Sequence, residues 1–274
     1  MTIRHILVHI DATPHATARL TVAIALARRF DANLTGLFAQ KESFAPGIVA
    51  RRASQHLEQA AEDCHRHFDA AIADSGITGR WWQLAHGEQG FVVGETVICA
   101  RYADLTIVGQ HEPGDHNDPT PEDLAEQVIL NSGHPVLVLP YAGTFTEIGS
   151  RTIVAWNASR EAARAVADAL PFLTAANQVV VLALRPSGSD ETDATLPTVD
   201  IGDWLRCHGI TARVDQFPAG SIGTANTLLA QSFDEGANLM VMGAYGNYSF
   251  PLRYRGSNTR QILREMTLPV LFSH

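Results

Sequence analysis

The sequence predicts an α/β protein built from two tandem domains, each an open parallel sheet with helices on both faces. Three observations support this fold class. The chain has 274 residues, long enough for two domains of about 140 residues each. Short apolar runs alternate with helical patterns, as in parallel sheets with crossover helices. The order of the apolar runs in the first half of the chain recurs in the second half.

The repeat is visible at three places in the sequence. Residues 6–13 (ILVHIDAT) and 152–159 (TIVAWNAS) share one design, an apolar run ending in turn and cap residues, at an offset of 146. Residues 105–109 and 239–243 correspond at an offset of 134, as do the Pro-Val-Leu runs at Pro135 and Pro269. A constant order with a nearly constant offset indicates duplication, with a second copy shorter by 12 residues in its middle.

The duplication predicts one domain at 1–143 and another at 148–274, with the seam between Tyr141 and Ser150, where glycines interrupt the periodic segments. In the first domain we expect strands near 5–10, 33–39, 80–86, 104–109 and 135–140, and helices near 14–30, 52–74, 90–102 and 122–132. In the second we expect strands near 152–156, 178–184, 211–217, 238–242 and 269–273, and helices near 160–173, 198–208, 221–234 and 257–266.

Composition excludes several classes of protein. With 46% hydrophobic and 18% charged residues and a mean hydropathy of −0.01, the chain is typical of a globular protein. A formal net charge of −9 and a pI near 5.7 argue against a nucleic-acid-binding or anionic-membrane surface. Three scattered cysteines and the lack of an 18-residue apolar run predict a cytoplasmic protein without a membrane span.

A glycine-rich segment follows the fourth predicted strand of the second half. Gly243, Gly246 and Gly256 allow close approach of a ligand to the backbone, and the next helix begins with free N–H groups that attract anions. Short polar residues and arginines surround that helix start: Arg253, Arg255, Ser257, Asn258 and Thr259. The pattern predicts a phosphate cradle, although ordinary strand-exit glycines and an N-cap explain the same spacing.

Other nucleotide and catalytic motifs are absent from the sequence. It contains neither G-x-G-x-x-G nor G-x-x-x-x-G-K-[ST], and its single lysine is Lys41. It also lacks a G-x-S-x-G elbow and an H-E-x-x-H helix. A dinucleotide-binding enzyme, a Walker-type NTPase and a common hydrolase are therefore disfavoured.

The spacing G-x2-G-x9-G-[ST], downstream of residues 154–159, resembles the ATP-binding signature of the universal stress protein (UspA) family, and the resemblance covers nearly the whole chain as two tandem domains. It implies a Rossmann-like sheet of strand order 3-2-1-4-5 and stress-related binding of ATP or AMP. The family's aspartate after the first strand corresponds to Asn157, which has no charge. The resemblance implies a nucleotide site formed by Asn157, Ala158, Ala183, Leu184, Gly243, Ala244, Tyr245, Gly246, Gly256, Ser257, Asn258 and Thr259.

The first half is expected to have lost this site. Gly109 corresponds to Gly243, but carboxylates replace the next cradle residues: Glu112, Glu122 and Asp123. Residues 109–126 carry a charge of −6 before histidines, whereas residues 243–260 carry +3. Like charges disfavour a polyphosphate in a cleft. Asp11 keeps the family's aspartate, and it can also cap the helix beginning near Pro14. Glu122 and Asp123 are expected to be favourable acids in the first turn of the helix near 122–132.

These observations favour a regulatory module that binds an adenine nucleotide in its second domain, with at most weak ATP hydrolysis. Two alternatives stay open: a slow Mg²⁺-dependent ATPase, and a structural or interaction module without a ligand. The resemblance implies that the last strands of the two domains pair in an intramolecular pseudo-dimer; a homodimer and an unknown protein partner stay open. Two histidine groups, Cys64 with His65 and His67 and the loop pair His111 and His116 with Glu112 and Asp115, are weak metal candidates, and we predict no metal site.

Overall fold

The computed structural model describes residues 2–42, 52–115, 118–185, 200–218, 223–246 and 257–274. These residues form two compact units, Thr2–Thr146 and Glu147–His274. We call them the N-unit and the C-unit and describe each by itself.

The N-unit is a five-stranded parallel sheet with four helices. Its strand order is β3-β2-β1-β4-β5, and each described strand pair is parallel. The elements are β1 (His5–Ile10), α1 (His15–Phe30), β2 (Asn33–Phe38), α2 (Gln55–Ala73), β3 (Gly79–Gln83), α3 (Gln89–Ala100), β4 (Leu105–Gly109), α4 (Leu124–Asn131) and β5 (Val136–Leu139).

The C-unit repeats this arrangement. Its strands lie in the order β8-β7-β6-β9-β10, which is 3-2-1-4-5 when they are counted within the unit, and the pairs are again parallel. The predicted fold class and strand order are therefore confirmed. The elements are β6 (Arg151–Trp156), α5 (Arg160–Asp168), α6 (Leu170–Leu173), β7 (Gln178–Arg185), α7 (Ile201–Cys207), β8 (Ala212–Pro218), α8 (Thr224–Asp234), β9 (Leu239–Gly243), α9 (Ser257–Glu265) and β10 (Val270–Ser273).

The strands on the β4–β5 and β9–β10 side of each sheet are apolar on both faces because helices cover both sides of the sheet. All four residues of β5 are buried, as are the first four residues of β4 and of β9. Helices that cover the sheet are amphipathic instead, as in α2, where Leu57, Ala61 and Phe68 are the buried residues. No helix in the described ranges is both long and apolar enough to cross a membrane.

The predicted bounds of the elements shift by up to three residues, and one predicted helix is divided. The strand expected at 80–86 is β3, which starts at Gly79 and ends at Gln83. The helix expected at 160–173 is divided into α5 and α6, and Pro171 stands in the first turn of α6. Proline has no N–H for the bond of a continuing helix but is tolerated in a first turn, so the division occurs just before it.

Candidate functional site

The predicted site lies at the carboxyl ends of three adjacent strands, β7, β6 and β9. The chain leaves β6 toward β7 and returns to β9 on the other side of β6, so this is the switch point of the sheet. Ligands of open α/β sheets bind at such a point. The fold thereby brings together the predicted residues near 157, 183 and 243, which are far apart in sequence.

A tight turn follows β6. The Asn157 side chain accepts a hydrogen bond from the Ser159 backbone N–H through Oδ1 (3.2 Å), and Ala158 adopts a left-handed φ of 57°. Ser159 then caps α5, because its Oγ accepts a hydrogen bond from the Ala162 N–H (3.1 Å). Asn157 is exposed, and its amide nitrogen still has two hydrogens to donate.

The end of β7 stands beside this turn. Ala183 is level with Trp156, the last residue of β6. Leu184 continues the pairing with β8 alone, opposite Phe217. The Leu184 backbone therefore extends past the end of β6, at the level where the Asn157 turn begins.

The residues that follow β9 are hydrogen-bonded to β10 and to the first turn of α9. The Ala244 N–H donates to the Ser273 carbonyl (2.8 Å), and the Tyr245 N–H donates to Thr259 Oγ1 in the first turn of α9 (3.1 Å). Tyr245 has a left-handed φ of 58°, and the Arg260 guanidinium lies 5.9 Å from its ring centroid. The start of the loop and the start of α9 are thus joined directly.

The structure gives the first two glycines a packing role. A Cβ on Gly243 would lie well under 3.0 Å from the backbone of α5 at Glu161 and Ala162. A Cβ on Gly246 would clash with the Glu161 carboxylate and lie 3.1 Å from Ser159 Oγ. Close packing against the α5 backbone therefore requires glycine at position 243, whereas a Cβ at position 246 would require the Glu161 side chain to shift. A role for both glycines in ligand binding stays a prediction.

Glu161 is the residue of this site that the sequence analysis missed. Its side chain is 2% exposed and forms an ion pair with Arg160, whose side chain is 66% exposed. Burial acts to raise the pKa of Glu161, but the Arg160 hydrogen bond and a backbone hydrogen bond bring it below its usual range. The carboxylate is ionised and neutralised by its neighbour. An acid in the first turn after a capping serine was the available signal.

The rest of the predicted cradle is described in part. Gly256 lies outside the described residues, as do Arg253 and Arg255. Ser257 begins α9, Asn258 is exposed, and Thr259 is 3% exposed. Among the described cradle residues, only Thr259 has its contact to the β9 loop defined by a hydrogen bond.

In the N-unit a buried ion pair stands at the corresponding place. Asp11 is 1% exposed and accepts hydrogen bonds from the Thr13 N–H (2.9 Å) and the Thr120 hydroxyl (3.1 Å), and it pairs with the Arg19 guanidinium. Arg19 also donates through Nε to the His9 carbonyl (3.1 Å). A Cβ on Gly109 would clash with the same guanidinium.

These contacts determine the protonation of the cluster. Burial acts to raise the pKa of Asp11, but Arg19, His9 and the Thr13 hydrogen bonds lower it to about 2. Burial lowers the pKa of His9, whose Nε2 lies 2.6 Å from the Ala39 carbonyl oxygen. The Asp11 carboxylate is therefore ionised, paired and shielded from solvent.

Two helix-terminal expectations for the N-unit were wrong. Asp11 does not cap α1, because Pro14 occupies the cap position, without a side-chain hydrogen bond, and the Asp11 carboxylate is engaged by Arg19. Glu122 precedes α4 instead of standing in its first turn, and Asp123 occupies the cap position without a side-chain cap bond.

One histidine of the acidic loop and one histidine of α1 lie beside carboxylates. His111 Nδ1 lies 2.9 Å from Asp118 Oδ2, and His15 Nε2 lies 3.4 Å from Glu112 Oε2. His116 lies outside the described residues. Within the described part of the chain, no group of three or more His, Cys, Asp or Glu residues is arranged to hold a metal ion.

Solved structures resemble the chain over almost its whole length. A universal stress protein from Archaeoglobus fulgidus DSM 4304 has a TM-score of 0.73 at 17% identity and covers 98% of this chain and 97% of its own. A putative universal stress protein from Pseudomonas aeruginosa UCBPP-PA14 has a TM-score of 0.63 at 15% identity, with 99% and 93% covered. A functionally unknown protein from Pseudomonas aeruginosa PAO1 has a TM-score of 0.63 at 15% identity, with 99% and 92% covered.

No protein-family model matches the sequence, and no curated protein matches it either. At these identities the structural likeness establishes the fold, while function depends on the site. The resemblance to universal stress proteins is confirmed at the level of the fold, over both units.

Proposed function

We propose that the chain is a stress-response regulatory module that binds one adenine nucleotide, ATP or AMP, in the C-unit. The observation that carries the proposal is the difference between the two units. Beside Gly109 of the N-unit stands the buried Arg19–Asp11 pair. In the C-unit, Ala165 occupies the position that the repeat aligns with Arg19, so the second unit lacks this internal cation.

The described side chains of the C-unit site suit an anionic ligand. Ser159 Oγ accepts one hydrogen bond and keeps its hydroxyl hydrogen to donate, and the Asn157 amide keeps two hydrogens. The first turn of α9 supplies N–H groups and the positive end of a helix dipole. The Leu184 backbone at the end of β7 is placed to meet a base through its peptide groups.

Glu161 is the feature that opposes an anion. Its charge is compensated by Arg160, so the pair adds no net charge to the site. Mg²⁺, when bound with a triphosphate, would shield phosphate charge from a carboxylate. Asn157 supplies no carboxylate for such an ion. In the described part of the C-unit, the acid beside Gly246 is Glu161.

The proposal includes no efficient catalysis. We expect at most slow hydrolysis of ATP, because the sequence contains no nucleophile motif and its single lysine lies in the N-unit. A slow ATPase would differ from a binding module by stoichiometric formation of ADP from bound ATP.

Binding is tested by calorimetry with ATP, ADP and AMP, each with Mg²⁺ and with EDTA. The informative variant is Asn258→Asp, which places a carboxylate in the first turn of α9. This change favours the helix through its dipole by about 0.3–1 kcal/mol, so weaker binding would not reflect unfolding. We expect one nucleotide per chain and a loss of affinity of about tenfold or more in the variant, through repulsion of phosphate.

The matched control is Asn226→Asp, the same charge change in the first turn of α8, where the side-chain oxygen already accepts from Gln261 (2.7 Å). It should bind nucleotide like the parent protein. Unchanged affinity in Asn258→Asp would place the nucleotide elsewhere. Failure of the parent protein to bind any of the three nucleotides would support a structural or interaction module.

We also propose that β5 and β10 pair with each other, which would join the two units as an intramolecular pseudo-dimer. The support is their position at the end of the strand order of each unit, because an end strand has one edge open for pairing. Sedimentation velocity of the full chain would show whether whole chains also associate.

A further inference from the structure

The N-unit contains a hollow that no part of the proposed nucleotide site uses. It has a volume of about 410 Å³ and lies between α1 and α2, beside the end of β1. This volume is within the range of small-molecule binding sites. Its walls are the two helices, and Gly109 is not among its lining residues.

The hollow exists because small residues face it. Ala12, Ala16 and Ala60 line it, so these side chains from the turn after β1 and from α1 and α2 are too short to fill the space. Its apolar surface includes Ile10 and Leu20, which are 4% and 3% exposed. An apolar ligand body would pack on these buried side chains and would cover the exposed Ala12 and the half-buried Ala60, whose removal from water is favourable.

The rim of the hollow is polar and follows α2. His56, Gln59, Asp63 and His67 are three or four residues apart, so they lie along one face of the helix. Neither lysine nor arginine is among the described lining residues. The imidazoles at the two ends can stack on a ring or form a hydrogen bond.

Asp63 supplies the negative charge of the rim. Its carboxylate accepts hydrogen bonds from Gln59 Nε2 (3.0 Å) and from the Arg66 guanidinium. These bonds lower the pKa of Asp63 below its usual range, so it is ionised at neutral pH. Asp11 also lies at the hollow, but its carboxylate is buried and paired with Arg19. Asp63 is paired with Arg66, but both side chains are exposed, and such a surface pair is weak enough for a ligand cation to share the carboxylate.

Cys64 lies in the wall of the hollow, near the negative charges of Asp11 and Asp63. Its Sγ lies 3.5 Å from the Asp11 carbonyl oxygen. Burial, with the charges of Asp11 and Asp63, raises the pKa of the Cys64 thiol to about 11. The Cys64 thiol is therefore neutral, and the nearby carboxylates disfavour another negative charge at this wall of the hollow.

We propose that this hollow is a second ligand site, for a small organic cation with an apolar, ring-bearing body. The body lies on Ile10 and Leu20 between the two helices, and the cationic group is placed beside the Asp63 carboxylate. The chain would then bind two chemically opposite ligands, a nucleotide anion in the C-unit and an organic cation in the N-unit. The second site does not depend on the first.

The test uses three probes with one ring system and different charges: tryptamine, tryptophol and indole-3-acetate. Binding to the full chain is measured by calorimetry and ligand-detected NMR. We expect tryptamine to bind about tenfold more tightly than indole-3-acetate, with tryptophol between them, because the Asp63 carboxylate attracts the ammonium group and repels the carboxylate. Asp63→Asn should remove this order. Asp69→Asn, on the same helix but outside the lining, should preserve it.

Two further measurements locate the site. Ala60→Leu fills the hollow and should abolish binding of all three probes, whereas Ala70→Leu, on an exposed position of α2, should not; thermal melting of both variants checks their folding. With the other two cysteines replaced by serine, bound tryptamine should slow alkylation of Cys64. The proposal is overturned if no probe binds at millimolar concentration, if indole-3-acetate binds as tightly as tryptamine, or if folded Ala60→Leu binds like the parent protein.

Discussion

Replacing Arg19 with methionine should destabilise the N-unit strongly. Methionine keeps much of the apolar stem but leaves the Asp11 carboxylate, 1% exposed, without its cation. Breaking one side of a buried ion pair costs about 3–5 kcal/mol, far above the contribution of a surface pair. The magnitude follows from burial, because the Thr13 and Thr120 hydrogen bonds and the nearby His9 would remain but no arginine would pair with the charge.

The pH dependence gives an independent check. In the parent protein the Asp11 pKa falls from 3.8 to about 2 on folding, which corresponds to roughly 2 kcal/mol of stability. Because the folded pKa is depressed, this contribution is present above pH 3.8 and is lost as the pH falls toward 2. Without Arg19, burial should raise the Asp11 pKa above its unfolded value, so the penalty should shrink as the pH falls from 7 toward 4.

Urea unfolding at several pH values measures both effects. Trp81 and Trp82 are the N-unit tryptophans, so Trp156→Phe and Trp204→Phe provide a background in which fluorescence follows the N-unit. The double variant Asp11→Asn with Arg19→Met should recover much of the loss. A penalty under about 1 kcal/mol, or one that does not change with pH, would refute the assignment of a buried, functioning ion pair.

Three further predictions concern particular contacts. Gly243→Ala should lower the free energy of unfolding in urea by about 1–3 kcal/mol, because its Cβ meets the α5 backbone. Gly94→Ala, with open space in α3, should leave it unchanged or raise it by up to about 1 kcal/mol. Equal losses in the two variants would contradict the packing argument. Ser159→Ala should cost about 1 kcal/mol through loss of the α5 cap, and Ser159→Asp should retain most of that stability. With its thiol pKa near 11, Cys64 should be alkylated by iodoacetamide at a rate rising tenfold per pH unit from 7 to 9.5, with the other cysteines replaced by serine, and a plateau near pH 9 would disprove the shift.

Most of the fold could be predicted because its determinants are local. Buried parallel strands are continuous apolar runs, as in β5 and β9, and the repeat supplied each assignment twice. The end of β3 was harder to predict from the sequence, because a strand with mostly exposed and half-buried residues lacks a clear apolar pattern. The division between α5 and α6 had a signal in Pro171, but the helical periodicity on both sides masked it.

The site was predictable only where the chain changes direction. Asn157 and Gly243 each follow a strand, so the order of elements placed them together without knowledge of side-chain packing. Arg19 and Glu161 could not be assigned this way, because their roles depend on which helix face the sheet covers. The sequence did contain one signal for Arg19, since it shares the apolar face of α1 with Ala16, Leu20 and Ala23, where an arginine is unusual.

The hydrogen bond from the Tyr245 N–H to Thr259 Oγ1 joins two residues 14 positions apart in sequence. This bond fixes the end of β9 and the first turn of α9 relative to each other. The entropy of closing a loop grows only with the logarithm of its length, about 0.6 kcal/mol for each doubling. Insertions and deletions between these two anchors are therefore inexpensive, and the chemistry offered to a ligand can diversify in evolution while β9 and α9 keep their places.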